Sequence, residues 1–464
     1  MSKGKQKGKA GKKRQWDLAN LNHNSNIDNI YQLDGRVPVG RAIPYGLQHV
    51  LAMFVANLTP ITIIAASAVP AIEGKELGFL IQNAMFIAGI ATLLQLYPIW
   101  KIGSRLPIVM GVSFTFVTVL STVAANFGYP TVLGAVMVGG LLEGLLGITI
   151  RRISRFIKPI VPAVVVCGIG LSLFTVGARS FGGGYTEDYG SPKNLIVAGF
   201  TLLVCLLWMA LTKGTLRSLA VLMGLICGYI LSICLGMVDL SGIMDGGFVS
   251  LPHFLMYTPD VRLGPVLSVF VIFLVSATET IGDTSAMASG GLGRSVKDEE
   301  ISGSLTVDGF ASSLSSLFGC PPITSFSQNV GLIAMTKVVN RFTIMTGAGI
   351  LVLAGLFPPI GNFFASIPQP VLGGCTILMF GQILMSGMQM VANCGFTQKN
   401  ITIASLALAL GVGTTASSES AIWDHFPQIV RDIFQSNVVA VVFVVAMLLS
   451  YILPEKMGED KESE

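Results

Sequence analysis

Long runs of apolar residues, separated by short polar connections, fill the chain from about residue 43 almost to its C-terminus. A membrane-spanning helix needs about 20 consecutive, mainly apolar residues. By this criterion the pattern predicts about fourteen helical spans and an all-α integral membrane protein. The predicted spans cover residues 44–66, 78–100, 106–126, 130–149, 156–178, 193–212, 216–236, 264–286, 300–318, 322–340, 342–363, 370–392, 400–416 and 436–453.

The third and tenth predicted spans are interrupted by Pro, Gly, Ser and Thr. Non-helical backbone at membrane depth is tolerated only where it contacts protein or lines a water-filled cavity. Both segments place a Pro, then a β-prone stretch, before a Ser-Phe pair: Ser113-Phe114 in "LPIVMGVSFTFVTVL" and Ser325-Phe326 in "CPPITSFSQNVGLIAM". Their positions, seven spans apart, predict two inverted repeats, which are typical of transporters with substrate near the membrane midplane.

The composition agrees with this organisation. Hydrophobic residues make up 52% of the 464 residues and charged residues only 12%, whereas soluble domains contain about 25% charged residues. No soluble domain is therefore expected. The predicted parts are a basic tail at 1–42, a first seven-span repeat at 43–236, a loop at 237–263, a second seven-span repeat at 264–453 and an acidic tail at 454–464.

Basic residues predict the orientation in the membrane. The even-numbered predicted loops contain thirteen Lys and Arg, the odd-numbered loops contain five, and the first fourteen residues of the N-terminal tail add seven. Because cytoplasmic loops carry the excess of Lys and Arg, we expect both termini in the cytoplasm and the 237–263 loop outside the cell. The tail could bind nucleic acid or anionic lipid, but we favour a disordered topology anchor.

Ionisable residues inside the predicted spans are candidates for function, since a central Asp costs at least about 2.5 kcal/mol on insertion scales. Glu279 and Asp283, in "FLVSATETIGDTSA", lie four residues apart and share one helical face. Asp308 lies in the ninth predicted span and His49 in the first. Glu279 is placed deepest, and such a carboxyl is suited to bind a proton at one stage and release it at another.

Structural roles compete with these functional ones. His49 could be a buried histidine that donates to a carbonyl, and Asp283 or Asp308 could accept hydrogen bonds at the start of a half-helix. The amide pair Gln328-Asn329 could join neighbouring helices. We favour a ligand role for this pair, because an amide presents an acceptor and a donor together and so matches a planar solute rich in both.

Enzyme chemistry has little support in the sequence. The motifs H-E-x-x-H, G-x-S-x-G and G-x-x-x-x-G-K-[ST] do not occur. The four histidines are scattered and the seven cysteines form no C-x-x-C pair, which argues against a metal site and a disulfide framework. We expect no metal and no cofactor.

The stretch "SFSQNVGLIAMTK" resembles the signature of the nucleobase–ascorbate transporter family, in its xanthine and uric acid permease branch. That signature has an acid or amide, then Asn, any residue, Gly, four residues, Thr and a basic residue. "GLQHVLAMF", "GVSFTFV" and "TETIGDTSA" also match, and the resemblance covers 43–453. The signature positions here are Gln328, Asn329, Gly331, Thr336 and Lys337.

The resemblance implies a fold of two inverted seven-span repeats arranged as a core and a gate domain. Short antiparallel strands in the third and tenth spans would meet at the substrate, and two copies would pair through the gate. Glu279 and Gln328 would bind the base by paired hydrogen bonds, with Phe114 stacking on or lining the ring and backbone amides near Ser113 and Phe326 completing recognition. The residues that support the geometry of the site and the coupling to protons would be His49, Asp283, Asp308 and Asn329, together with Glu279.

The first signature position bears on the substrate. Uracil carriers of the family resemble S-E-N at this point and purine carriers carry Q-N, so Gln328 indicates the purine group. The resemblance thus implies a proton-coupled symporter that imports xanthine or uric acid through the plasma membrane. A uracil:proton symporter of the same family is one alternative. An anion channel or exchanger on the same fold is another, although it would favour a basic residue at the site.

Overall fold

A computed structural model describes residues 27–149, 158–244, 247–416, 420–435, 437–455 and 457. Most of the predicted tails, and the basic loop residues at 151–155, lie outside these ranges. The first eight helices are α1 Val39–Ser67, α2 Gly74–Leu96, α3 Val117–Phe127, α4 Tyr129–Thr149, α5 Ile160–Gly182, α6 Pro192–Leu211, α7 Ala220–Cys234 and α8 Leu263–Ala286. The next eight are α9 Asp298–Leu317, α10 Ser327–Thr336, α11 Arg341–Ala354, α12 Pro358–Ala365, α13 Gln369–Asn393, α14 Gln398–Thr415, α15 Gln428–Phe434 and α16 Val438–Ile452.

Every predicted span overlaps at least one helix, but fewer helices could cross a membrane unbroken than the sequence predicts. Within the described ranges, eight helices are long and apolar enough, and two bent pairs, α11–α12 and α15–α16, pass the same test together. The predicted span 342–363 is in fact two helices at an angle of 82°. The break follows from Pro358 and Pro359, which cannot continue a preceding helix.

The two interrupted segments form the expected pair of short strands. β1 Met110–Val112 pairs antiparallel with β2 Ile323–Ser325. Pro321 and Pro322 prevent α9 from continuing into β2, and the β-branched residues that follow favour extended backbone. Each strand leads directly into a helical segment, so that two helices begin at the centre of the protein.

The helices pack in two groups. Helices α1–α4 and α8–α12 surround the strands, whereas α5–α7, α13, α14 and α16 pack mainly on one another. Helix α1 packs on α11 as α8 packs on α4, and α2 contacts β1 as α9 contacts β2. In the second group, α6 packs on α7 as α14 packs on α16, and α5 packs on α13. The contacts therefore recur when each element is exchanged for the one seven predicted spans later.

Helices α4 and α9 cross in direct backbone contact at glycines. A Cβ atom added to Gly309 would lie 2.1 Å from the backbone nitrogen of Gly144 and 2.6 Å from the carbonyl oxygen of Gly140. Nearby, the Ser313 hydroxyl donates to the Met137 carbonyl at 3.0 Å. Small residues at such crossings allow close van der Waals packing and interhelical hydrogen bonds in a membrane, so these two helices are expected to move as one unit.

Candidate functional site

A cavity of about 190 Å³ lies beside the strand pair, between the two helix groups. Pockets for drug-sized ligands occupy about 300–1,000 Å³, so this cavity suits a smaller molecule. Helices α5 and α13 form its opposite wall. All five residues that the resemblance assigns to substrate binding line it, namely Ser113, Phe114, Glu279, Phe326 and Gln328.

Two helix beginnings line this cavity. After β1 the chain enters a 3-10 turn at Phe114–Phe116 that continues into α3, and after β2 it enters α10 at Ser327. Thr115, Ser327 and Gln328 also line the cavity. The first N–H groups of a helix have no intrahelical acceptor and its N-terminus carries partial positive charge. Both segments can therefore donate to carbonyl or anionic oxygens of a ligand.

Glu279 reaches the cavity from α8 and is half-buried. Its Oε2 accepts a hydrogen bond of 2.7 Å from the hydroxyl of Thr115, at the start of the α3 segment. A carboxylate accepts several hydrogen bonds at once. The contact with Thr115 orients the group and leaves it able to accept N–H groups from a ligand.

The adjacent amides Gln328 and Asn329 have different surroundings. Gln328 is exposed to the cavity, and its side chain forms no hydrogen bond with another residue in the part of the chain that the structure describes. Asn329 is buried, and its Nδ2 donates to the carbonyl of His49 at 3.1 Å and lies 3.3 Å from Nδ1 of the same residue. Gln328 is thus available to a ligand, while Asn329 joins α10 to α1.

The other two acids singled out in the sequence lie behind the cavity. Asp283 is buried, and its Oδ2 accepts from the hydroxyls of Ser325 at 2.8 Å and Ser327 at 2.9 Å. Asp308 is fully buried, and its Oδ2 accepts from the hydroxyl of Thr280. Asp308 thus connects α9 to α8, and Asp283 connects α8 to the end of β2 and the start of α10. Both acids hold these elements in position and do not line the cavity.

The two phenylalanines differ in how they meet the cavity. The Phe114 ring packs edge-to-face on Phe380 of α13, with ring centroids 5.4 Å apart, and so spans the boundary between the helix groups. The Phe326 ring lies against Gly111 of β1, where an added Cβ would be 2.8 Å from its Cε2. A side chain at position 111 would therefore displace the ring or the strand.

Residues 40–420 match the Xan_ur_permease family model, described as the Permease family. The chain belongs to this permease family. It is 33% identical over 454 residues to the xanthine permease XanQ of Escherichia coli (strain K12), covering 94% of this chain and 96% of XanQ. It is 32% identical over 419 residues to the uric acid transporter UacT of the same strain, covering 88% and 85%. The resemblance to xanthine and uric acid permeases is confirmed, and the chain is a multi-pass membrane transporter rather than an enzyme.

The fold of this permease is similar to that of solved transporter structures. The transmembrane domain of the cyanobacterial bicarbonate transporter BicA superposes with a TM-score of 0.55 at 14% identity, covering 88% of this chain and 97% of that domain. The murine anion transporter Slc26a9, in its inward-facing state, gives 0.55 at 11% identity, covering 89% and 68%. At such identities the likeness shows the fold alone.

The remaining signature positions of the permease lie along α10. Gly331 lines a second, larger cavity of about 540 Å³ that also contacts Gln328. The Thr336 hydroxyl donates to the Leu332 carbonyl at 2.9 Å. Lys337 ends the helix in the left-handed conformation at φ 59° and donates to the Gly290 carbonyl. The last two positions therefore form the helix end and do not contact the 190 Å³ cavity.

Sequence reasoning missed three residues of the permease that the structure brings close to the strands or to buried acids. Thr115 holds Glu279. Asn57 of α1 accepts from the backbone N–H of Val112 at 2.7 Å, so it supports β1. Glu143 of α4 is 1% exposed. The sequence indicated this residue only as a single acid in the apolar stretch "MVGGLLEGLLG".

Across the described ranges, no cluster of three His, Cys, Asp or Glu side chains could bind a metal ion.

Proposed function

We propose that this permease is a proton-coupled symporter that imports an oxidised purine base, xanthine or uric acid, through the plasma membrane. The observation that carries the proposal is that Glu279, Gln328 and Phe114 line one small cavity between the two helix groups. The names of the relatives XanQ and UacT support the class of substrate.

Each group in the cavity has a part in binding an oxidised purine. Gln328 offers an acceptor and a donor to the adjacent C=O and N–H groups of the ring edge, and Glu279 accepts from further ring N–H groups. Phe114 provides an aromatic surface for the ring. The helix beginnings near Ser113 and Phe326 donate backbone N–H groups to ring carbonyls.

Proton coupling rests on Glu279, with His49, Asp283, Asp308 and Asn329 supporting its surroundings. A carboxyl that holds a proton in one state and releases it in another makes substrate affinity depend on the proton. Movement of the group around the strands, the core, against the group containing α5 and α13, the gate, then alternates access. The 540 Å³ cavity, lined by Gln328, Met335 and Arg217 among others, provides the route to the cytoplasm.

The inverted repeat and the assembly belong to the same proposal. The contacts that recur between elements seven predicted spans apart support two inverted seven-span repeats, 43–236 and 264–453. We place both termini in the cytoplasm, following the distribution of Lys and Arg. Two copies of the chain pair through the gate.

The alternatives fit the cavity less well. A uracil symporter of this family would carry an acid in place of Gln328. An anion channel or exchanger would favour a basic group, yet the residues that line the 190 Å³ cavity include the acid Glu279 and neither Lys nor Arg.

Uptake of labelled xanthine into proteoliposomes tests the proposal, with uric acid, uracil, guanine and hypoxanthine as competitors at acidic and neutral pH. We expect uric acid to compete strongly, uptake to be faster at acidic pH, and a protonophore to abolish accumulation. Competition by uracil, or absence of xanthine uptake, would contradict the substrate. Accumulation that survives the protonophore would contradict proton coupling.

A further inference from the structure

A second pair of acids lies behind the strands, away from both cavities. Glu143 on α4 is 1% exposed and Asp308 on α9 is 0% exposed. Neither carboxyl oxygen of Glu143, nor Oδ1 of Asp308, has a hydrogen-bond partner among the residues that the structure describes. Buried polar groups are nearly always hydrogen-bonded, so three unpartnered oxygens at one place require an explanation.

The glycine crossing of α4 and α9 brings these acids together. Gly144 follows Glu143 in the chain and Gly309 follows Asp308, and the backbones of the two glycines are in direct contact. The charge of Asp308 acts on Glu143. Glu143 therefore lies near the Asp308 carboxyl and has almost no exposed surface.

The surroundings supply no counter-charge to this pair. Helices α9, α8 and α3 pack on α4. The charged groups that act on Asp308 from these elements are the acids Glu279 and Asp283 of α8. No Lys, Arg or His acts on the pair within the described ranges. A buried unpaired carboxylate is costly and two adjacent ones are more so, while a proton bound by one removes a charge and provides a donor.

A short hydrogen-bonded path joins the pair to the substrate strand. The Thr280 hydroxyl donates to Asp308 Oδ2 and lies 3.3 Å from the Ser325 hydroxyl of β2. Ser325 in turn donates to Asp283. A change in the charge of Asp308 therefore changes the strength of the hydrogen bond that it accepts from Thr280. Thr280 follows Glu279 directly in the chain.

We propose that Glu143 and Asp308 form a proton-holding pair, in which Glu143 acts as a positioning residue that sets the charge of Asp308. One proton is held on one of the three unpartnered oxygens, so the pair carries at most one negative charge. The proposal rests on the proposed proton-coupled transport. It adds to that function a residue of α4 that does not contact the substrate.

Glu143→Gln tests the pair, with Glu143→Asp as the conservative variant. Ser313→Ala is the matched control, because it removes a hydrogen bond of the same helix crossing without removing an acid. Xanthine uptake is measured against pH, and xanthine counterflow, which needs no net proton movement, is measured in the same proteoliposomes. Glu143→Gln leaves Asp308 without the second carboxyl of the pair near it, so the proton of the pair is held less tightly. We expect the pH of half-maximal uptake to fall by about one unit, with counterflow retained.

The conservative variant should restore a profile close to that of the wild type, and Ser313→Ala should leave the profile unchanged. Equal profiles for Glu143→Gln and the wild type would overturn the pair, as would equal shifts in Glu143→Gln and Ser313→Ala. A wild-type protein without xanthine uptake, or without pH dependence, would instead overturn the proposed function.

A spectroscopic measurement does not depend on whether Glu143→Gln folds. In a Glu279→Gln background, the infrared carbonyl band of a protonated carboxyl should persist at neutral pH. It should shift in deuterated water if the proton of the pair exchanges. Absence of any such band would overturn the proposal independently of transport.

Discussion

At the scale of single residues, Glu279 and Asp283 show how one helical face can serve two purposes. Both lie on the same face of α8, yet only Glu279 lines the cavity. The hydroxyls of Ser325 and Ser327 donate hydrogen bonds to Oδ2 of Asp283. The difference is one helical turn, which moves Asp283 from the cavity to the joint between β2 and α10.

Glu279→Gln should reduce proton-driven accumulation of xanthine at least about tenfold, which corresponds to about 1.4 kcal/mol. Gln retains hydrogen bonding but cannot bind and release a proton at this position. Accumulation is measured in proteoliposomes with an imposed pH gradient. Thr115→Val is the control: it removes only the hydroxyl that orients Glu279 and should cause a smaller loss. Full accumulation by Glu279→Gln would exclude its role in coupling.

At the scale of elements, the site depends on two three-residue strands that cannot be stable alone. Side chains from neighbouring helices supply hydrogen bonds to their edges: Asn57 accepts from Val112 N and Thr92 from Met110 N. The Ser312 hydroxyl bonds both backbone groups of Ile323. The strands are therefore held by α1, α2 and α9, and the helix beginnings at the cavity are held with them.

Asn57→Ala should destabilise the protein by about 1–3 kcal/mol, because it leaves the buried N–H of Val112 without an acceptor. It should also weaken the stabilisation that xanthine gives, since β1 positions Phe114. Thermal unfolding in detergent, with and without xanthine, measures both effects. Ser121→Ala is the control, as this buried hydroxyl has no partner in the described part of the chain; equal losses in the two variants would refute the role of Asn57.

Gly309→Ala should destabilise the crossing of α4 and α9 by about 1–3 kcal/mol. The added methyl group would lie 2.1 Å from a backbone atom, which cannot rotate away as a side chain can. Gly199→Ala is the matched control, because a Cβ there meets no atom within 4 Å and Ala is the better helix former. Equal melting temperatures for Gly309→Ala and Gly199→Ala would show that α4 and α9 can move apart without loss of stability, and would contradict this prediction.

At the scale of the whole molecule, the boundary between the two helix groups contains both the 190 Å³ and the 540 Å³ cavities. Gln328 and Gln382 line both, so a path leads from the candidate site towards Arg217. In the orientation proposed above, this path opens to the cytoplasmic side.

Met335→Cys should therefore react with a membrane-impermeant thiol reagent applied from the cytoplasmic side, and xanthine should slow the reaction several-fold. Met335 lines the larger cavity and is 63% exposed. The background is a variant in which the seven native cysteines are replaced. Phe248→Cys, in the loop at 237–263, should react only from the opposite side. Reaction of both positions from the same side would contradict the orientation.

The sequence by itself determined the membrane character, the permease family, the strand-forming segments and the candidates Glu279 and Gln328. These properties depend on local composition and spacing, which determine hydrophobicity, helix interruption and a motif within a few residues. The predicted single span at 342–363 was wrong, because Pro358 and Pro359 separate α11 from α12.

Only the tertiary structure decided which polar residues share a site and which support it. Gln328 and Asn329 are adjacent in the chain, yet one is exposed to the cavity and the other is buried on His49. Glu143 and Asp308 belong to different helices, and their proximity depends on glycines that allow two backbones to touch. Contacts between distant segments follow from the packing of whole elements, and no local pattern of residues specifies that packing.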